Sequence, residues 1–306
     1  GNIDGSSDAG SSGAGNVSVQ LQTGDGNIRT GNVTVSSRNT GGGANAYLDL
    51  RSIAGQVETG TVSVAAEAQG GTAQGQLNLV SNNGNVSSQN LTLTVRNDAT
   101  DNGSAYGDMI ISAGGQADLG SALLTVDSAA DQRAYGNLSA QTFGGTLTMA
   151  GADLQVRTGS GFLNLYGANA LTVAEGVNLL AGGGTSSSDQ SAQTRVTEQS
   201  STRSAGAGGS GFASLGSQGM VSVGSGITVR TDAATIRNTS PSFSSERVSG
   251  NAHLSIDAGG IDVTGGMTVE GAGFAQANLR ANGDVTVRGL SRVSATAETY
   301  QFTGGD

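Results

Sequence analysis

The sequence predicts an all-β fold, a parallel β-solenoid of about 30 residues and three short strands per coil, with about nine coils. Three observations carry this. An apolar skeleton recurs every 29 residues, apolar and polar residues alternate within each burst, and glycine fills 52 of 306 positions against one proline, Pro241.

The recurrence is clearest between residues 46–64, AYLDLRSIAGQVETGTVSV, and residues 75–93, GQLNLVSNNGNVSSQNLTL. With residues 17–35 they align as Val19, Ile28, Val33; Leu48, Val57, Val62; and Leu77, Val86, Leu91. A fourth unit follows as Ile110, Leu119, Leu124, and Leu138 and Leu147 continue the series. These are the expected core positions. Alternation with a period of two excludes helix and marks strands with one buried face.

In chain order each unit holds a first segment (Val33-Thr34-Val35, Val62-Ser63-Val64, Leu91-Thr92-Leu93, Leu124-Thr125-Val126) and a second (Leu48-Asp49-Leu50, Leu77-Asn78-Leu79, Leu163-Asn164-Leu165). A third is shorter, as at Val57 and Val86. Gly or Asn precedes most segments, at Gly31-Asn32, Gly55, Gly84-Asn85 and Gly136-Asn137, and reads as a corner residue tolerant of positive φ. Length varies in the connection from first to second segment. The whole chain, 1–306, reads as one solenoid domain, with a Gly/Ser-rich segment 1–16 and surface loops at 181–210 and 230–250.

Composition narrows the function. Val, Leu, Ile and Phe make up one residue in five, enough only for a thin core. The absence of Cys removes disulfides and thiolate metal sites, and every basic residue is Arg. A net charge of −10 argues against a nucleic-acid partner, because that binding draws on clustered cations. No apolar run is long enough for membrane insertion. His253 is the single histidine and sits in an alternating strand, so it reads as structural. No catalytic constellation is legible and no cofactor is expected.

The carboxylates concentrate only at Asp98, Asp101 and Asp108, with Asp127 and Asp131 in the next loop, as weak candidates for adventitious calcium. Convergence of the same acidic loops, 98–131, is what a polysaccharide lyase or hydrolase would need. A column of Thr34, Ser63, Thr92, Thr125, Thr228 and Thr268 would be a weak ice-binding array, and Thr suits outward strand positions on packing grounds alone. Asn-x-Ser/Thr at Asn16, Asn32, Asn85, Asn90, Asn102, Asn137 and Asn238 follows from the repeat itself. Tyr47, Tyr106, Tyr135, Phe162 and Tyr166 recur near the ends of the second segment, as a stack at a coil corner or a sugar platform.

Units such as GQLNLVSNNGNVSSQNLTLTV and AYLDLRSIAGQVETGTVSV resemble the repeats of filamentous-haemagglutinin-like exoproteins, adhesins of Gram-negative bacteria secreted by the two-partner route. The resemblance covers nearly the whole chain, without the family's amino-terminal secretion domain and its Asn-Pro-Asn motifs. It implies a right-handed parallel β-helix, an extracellular or cell-surface location and an adhesive or biofilm-matrix role. Neither end shows an amphipathic cap, so the expected partners are a second copy stacked end to end or the continuation of a longer solenoid, with a cell-surface or glycan receptor for the loops.

Overall fold

The computed structural model describes residues 1–10, 13–99, 103–129, 134–182, 209–232, 234–236, 246–248 and 250–296. Among them there are strands and no helix. Apart from one antiparallel pair, Ala234–Ile236 with Glu246–Val248, every pairing is parallel, and the strands wind about 328° round a common axis, as in a parallel β-solenoid.

The pairings form three ladders. The first starts with Ile3–Ala9 on Val33–Asn39 and ends with Met267–Gly271 on Arg292–Ala295. The second runs from Gly15–Thr23 on Ala44–Ser52 to Asn251–Ala258 on Phe274–Ala281. The third starts with Ile28–Arg29 on Val57–Glu58 and ends with Ile261–Thr264 on Val285–Arg288. Long strands such as Val57–Ala68 and Val86–Asn97 serve the third ladder with their first residues and the first ladder with the rest.

Register partners 29 residues apart reproduce the sequence skeleton: Val33, Val62 and Leu91 stack in one column, and Leu48 and Leu77 in another. Val33, Leu48, Val57, Val62, Leu77, Leu124, Leu138 and Leu147 have no exposed surface; Ile28, Val86, Leu91 and Leu119 are buried, and Val19 is partly buried against them. A fully buried Leu or Val contributes about 1.5–3 kcal/mol.

Ile110 departs from expectation: it faces outward between Asn78 and Ser139, while Met109 and Ile111 point inward. The run Met109-Ile110-Ile111 has no alternation to set its phase, and a slip of one residue exchanges the two faces of a strand. Leu119 and Leu124 are displaced by two: Ala117 and Ala122 are the partners of Val86 and Leu91, whereas Leu124 pairs with Leu93. A two-residue slip keeps a side chain on its face, so both leucines stay buried.

Corner glycines also differ from expectation. Positive φ occurs at Gly71, Gly182, Gly226, Gly265, Gly266 and Gly289, and not at Gly31, Gly55, Gly84 or Gly136. At Gly55 and Gly84 a Cβ would overlap the carbonyl of Gly26 or Gly55 in the preceding coil. Close backbone approach, rather than φ, excludes a side chain there. Gly136 lies inside a strand in an inward column with Gly75 and Gly107, where a Cβ would come within 2.6–3.0 Å of valine and leucine methyls from the first ladder.

Polar groups at the corners are satisfied across coils. The Ser81 hydroxyl donates to the Gly55 carbonyl at 2.6 Å and accepts from the Gly84 N–H at 2.9 Å, and Ser52 does the same one coil earlier. Asn32, Asn85 and Asn90 each accept the backbone N–H of a residue in the next coil, at Thr61, Gln116 and Ser121. Three of the Asn-x-Ser/Thr asparagines are thus structural. Asn102 and Asn238 lie outside the described residues.

Candidate binding face

Inward pointing of Leu138, Leu163, Leu215 and Leu254 in the second ladder obliges their neighbours to point out. On six successive strands one outward residue is aromatic: Tyr106, Tyr135, Phe162, Phe212, His253 and Phe274. Five of them form a continuous ladder. Ring centroids are 5.4 Å apart for Tyr135 and Phe162, 5.2 Å for Phe162 and Phe212, 4.9 Å for Phe212 and His253, and 5.1 Å for His253 and Phe274. The middle rings are parallel within 12° and 7°, and the end pairs are tilted by 36° and 40°.

The ladder runs along the outward side of the first few residues of these strands, next to the coil corner. Tyr106, Tyr135, Phe212 and Phe274 are 36–46% exposed. Tyr106 is the register partner of Tyr135. Tyr47 and Tyr166 lie off the ladder: Tyr47 pairs with Gln76, and Tyr166 stands four residues along its strand beside Gly216. Phe212, His253 and Phe274 are not among the aromatics that the sequence places together, and His253 reads there as structural. Their signal was present, because Phe162, Phe212 and His253 each directly precede an inward residue, Leu163, Ala213 and Leu254.

Beside the aromatic rows runs a column of small polar residues: Ser139, Asn164, Ser214, Ser255 and Asn278. Asn164, Ser214, Ser255 and Asn278 are exposed. The outward positions of these columns from Ala134–Thr142 to Phe274–Ala281 hold no Arg, Asp or Glu; the first charges beyond are Asp108, the partner of Asn137 on the Tyr106 strand, and Asp257 and Arg280, two places along.

The acidic candidates are arranged otherwise. Asp127 is the register partner of Arg96 on one side and Arg157 on the other, and Arg96 in turn of Glu67, which partners Arg38 and then Asp8. Asp8, Arg38, Glu67, Arg96, Asp127 and Arg157 therefore make one alternating column. Within it Arg157 reaches Asp127 at 3.6 Å and Arg38 reaches Glu67 at 3.8 Å, while Arg96 bonds Asp98 at 2.7 Å. The hydrogen bond that Arg96 donates to Asp98, the charge of Asp98, and the more distant charges of Asp127 and Glu67 hold the Arg96 guanidinium in its protonated form. Asp108 stands apart on the second ladder and accepts from the Asn137 amide at 2.7 Å. Asp101 and Asp131 lie outside the described residues, as do 183–208 and most of 233–249 in the two loops. Among the described residues no three His, Asp or Glu side chains group as metal ligands.

Reversing one charge, Arg96→Glu, leaves a row of carboxylates, and because the column is exposed the expected cost is about 1 kcal/mol or less. Added salt should narrow the difference in urea midpoint. A large, salt-independent loss would show that the column carries more than surface pairing.

The threonine column is discontinuous. Thr34, Ser63 and Thr92 stack, but Leu123, Asp153 and Asn178 follow before Thr228 and Thr268, and Thr125 belongs to the neighbouring column with Thr94. Asp153 is half-buried between Leu123 and Asn178. Desolvation raises its carboxyl above the usual range, and the amide of Gln155, at 3.2 Å, acts in the opposite sense. A carboxyl whose folded pKa lies above its unfolded one stabilises the fold below the unfolded pKa, and this contribution is lost as pH rises through the folded pKa. Asp153→Asn is therefore expected to raise the urea midpoint at neutral pH and to leave it unchanged in acid; an equal effect at both pH values would contradict the desolvation account.

No family model, curated protein or solved structure matches this chain.

Proposed function

We propose that the chain is a structural, non-catalytic rod of the bacterial cell surface or extracellular matrix, an adhesin of the filamentous-haemagglutinin-like kind. In this reading it is a right-handed β-helix of about nine coils, with about 30 residues and three strands in each, stacked end to end or continued as a longer solenoid.

One observation carries the reading. The first ladder keeps register from Asp4 through Thr34, Thr228 and Thr268 to Arg292, and both described ends of the stack resemble its middle with a neighbour removed. At one end Val17 and Val19 are half-buried and Leu21 is 38% exposed; at the other Val285 and Val293, in interior columns, are 50% and 54% exposed. Residues 1–32 carry Asp4, Asp8 and Asp25 against Arg29, and residues 274–296 carry Arg280, Arg288 and Arg292 against Asp284. Opposite charge on complementary strand edges favours head-to-tail stacking, whether the next coil belongs to a second copy or to the same chain.

Negative-stain microscopy with mass photometry across a concentration series tests this. Rods one solenoid wide that lengthen with concentration are expected, and a variant with Arg280, Arg288 and Arg292 changed to Glu should stay short. Short rods of a single mass at every concentration would overturn stacking between copies. Release of new sugar ends from a panel of polysaccharides would overturn the non-catalytic reading.

A further inference from the structure

We propose that the aromatic ladder and the polar column beside it form a binding face for an uncharged, extended polysaccharide, lying along the solenoid axis on the outer surface of the second ladder. This deepens the adhesive reading by naming the partner class, and rests on it only in taking the outer face as the presented surface.

The chemistry of the face selects the ligand. Aromatic side chains offer large, rigid and partly apolar contact surfaces, suited to a partner that is apolar on one side and wet on the other. The ring separations of 4.9–5.4 Å follow the strand spacing of about 4.8 Å, wider than the roughly 3.5–4 Å of direct carbon contact. The rings are therefore offset or splayed, which leaves part of their faces open to the C–H surface of a sugar ring. Asn164, Ser214, Ser255 and Asn278 provide amide and hydroxyl groups that both donate and accept, which matches sugar hydroxyls.

Repetition selects a polymer. The six aromatic rungs span five strand spacings, about 24 Å, so a chain molecule can repeat one contact along them. Charge selects a neutral one: a protein of net charge −10 whose face carries no arginine repels acidic glycans and offers them no ion pair. A second copy of this chain is a poorer occupant, because its interface core would have to bury the adjacent Asn and Ser column, whereas such cores are more apolar.

Isothermal titration of the purified chain with cellohexaose and chitohexaose, against heparin and polygalacturonate, tests the proposal. Binding of at least one neutral hexamer is expected, together with none of the acidic polymers. Phe212→Ser combined with Phe162→Ser should weaken it about tenfold or more. Ser214→Arg, which leaves the rings in place, should also weaken it, and Tyr166→Ser, on the same face but off the ladder, should not. Unchanged circular dichroism and urea midpoints keep these readings separate from misfolding, and unchanged rod length by microscopy separates them from failure of the stacking model. No binding to either neutral hexamer, equal binding by the double variant, preference for heparin, or loss of a lateral dimer in the double variant would each overturn the proposal.

Discussion

Gly107→Val is expected to destabilise the protein by about 3 kcal/mol or more, the upper range for overfilling a packed interior. Gly107 lies in an inward column between Gly75 and Gly136, and a Cβ there would stand 2.6 Å from Val126 Cγ2 and 2.8 Å from Leu124 Cδ1. Relief would require new rotamers for two side chains with no exposed surface, Leu124 and Val126, or movement of a strand that is paired on both sides, Ala117–Ser128 between Val86–Asn97 and Thr146–Arg157. The control is Gly24→Val, whose Cβ would meet nothing within 4 Å. Urea denaturation of the two variants compares them directly. Similar midpoints would mean that the glycine column is not there to make room.

Asn97→Leu is expected to cost nearly as much, for a different reason. The side chain is 1% exposed, donates to the carbonyls of Gly71 at 2.6 Å and Ser104 at 2.8 Å, and accepts from the N–H of Ala99 at 2.8 Å. Leucine has a similar size but strands the Ser104 carbonyl and the Ala99 N–H away from water, at about 1–3 kcal/mol for each buried group left unpaired, while the Gly71 carbonyl is open to solvent. Asn39, two rungs earlier in the same column, donates to the carbonyls of Gly13 and Gly43 and accepts from Gly41, so Asn39→Leu should behave alike. Denaturation midpoints for both, set beside the exposed Asn164→Leu, test this. A loss at Asn97 no greater than at Asn164 would show that water replaces the asparagine at the corner.

The aromatic face was half legible. Tyr106, Tyr135 and Phe162 stood out because they recur at nearly constant separation, and Phe212 and His253 were obscured because the long connections before them break the period. Asp98 and Asp127 read as an acidic concentration, since chain proximity is visible in sequence, as it is for Arg96 beside Asp98, while Arg157 and Glu67 join the column, and Arg96 meets Asp127, only through register.

Strand class, the recurrence that stacks Val33 on Val62 on Leu91, and the edge that takes up changes in length are all legible in the residues alone. Each is a local property: alternation and period are written within one or two coils and need no knowledge of the rest. Tertiary structure alone decided the phase at Ile110, the spatial reason for Gly107, and which outward residues share a column. Those depend on pairing between strands some 25–50 residues apart, where a slip of one residue turns a face inside out and a change in one connection shifts every later partner.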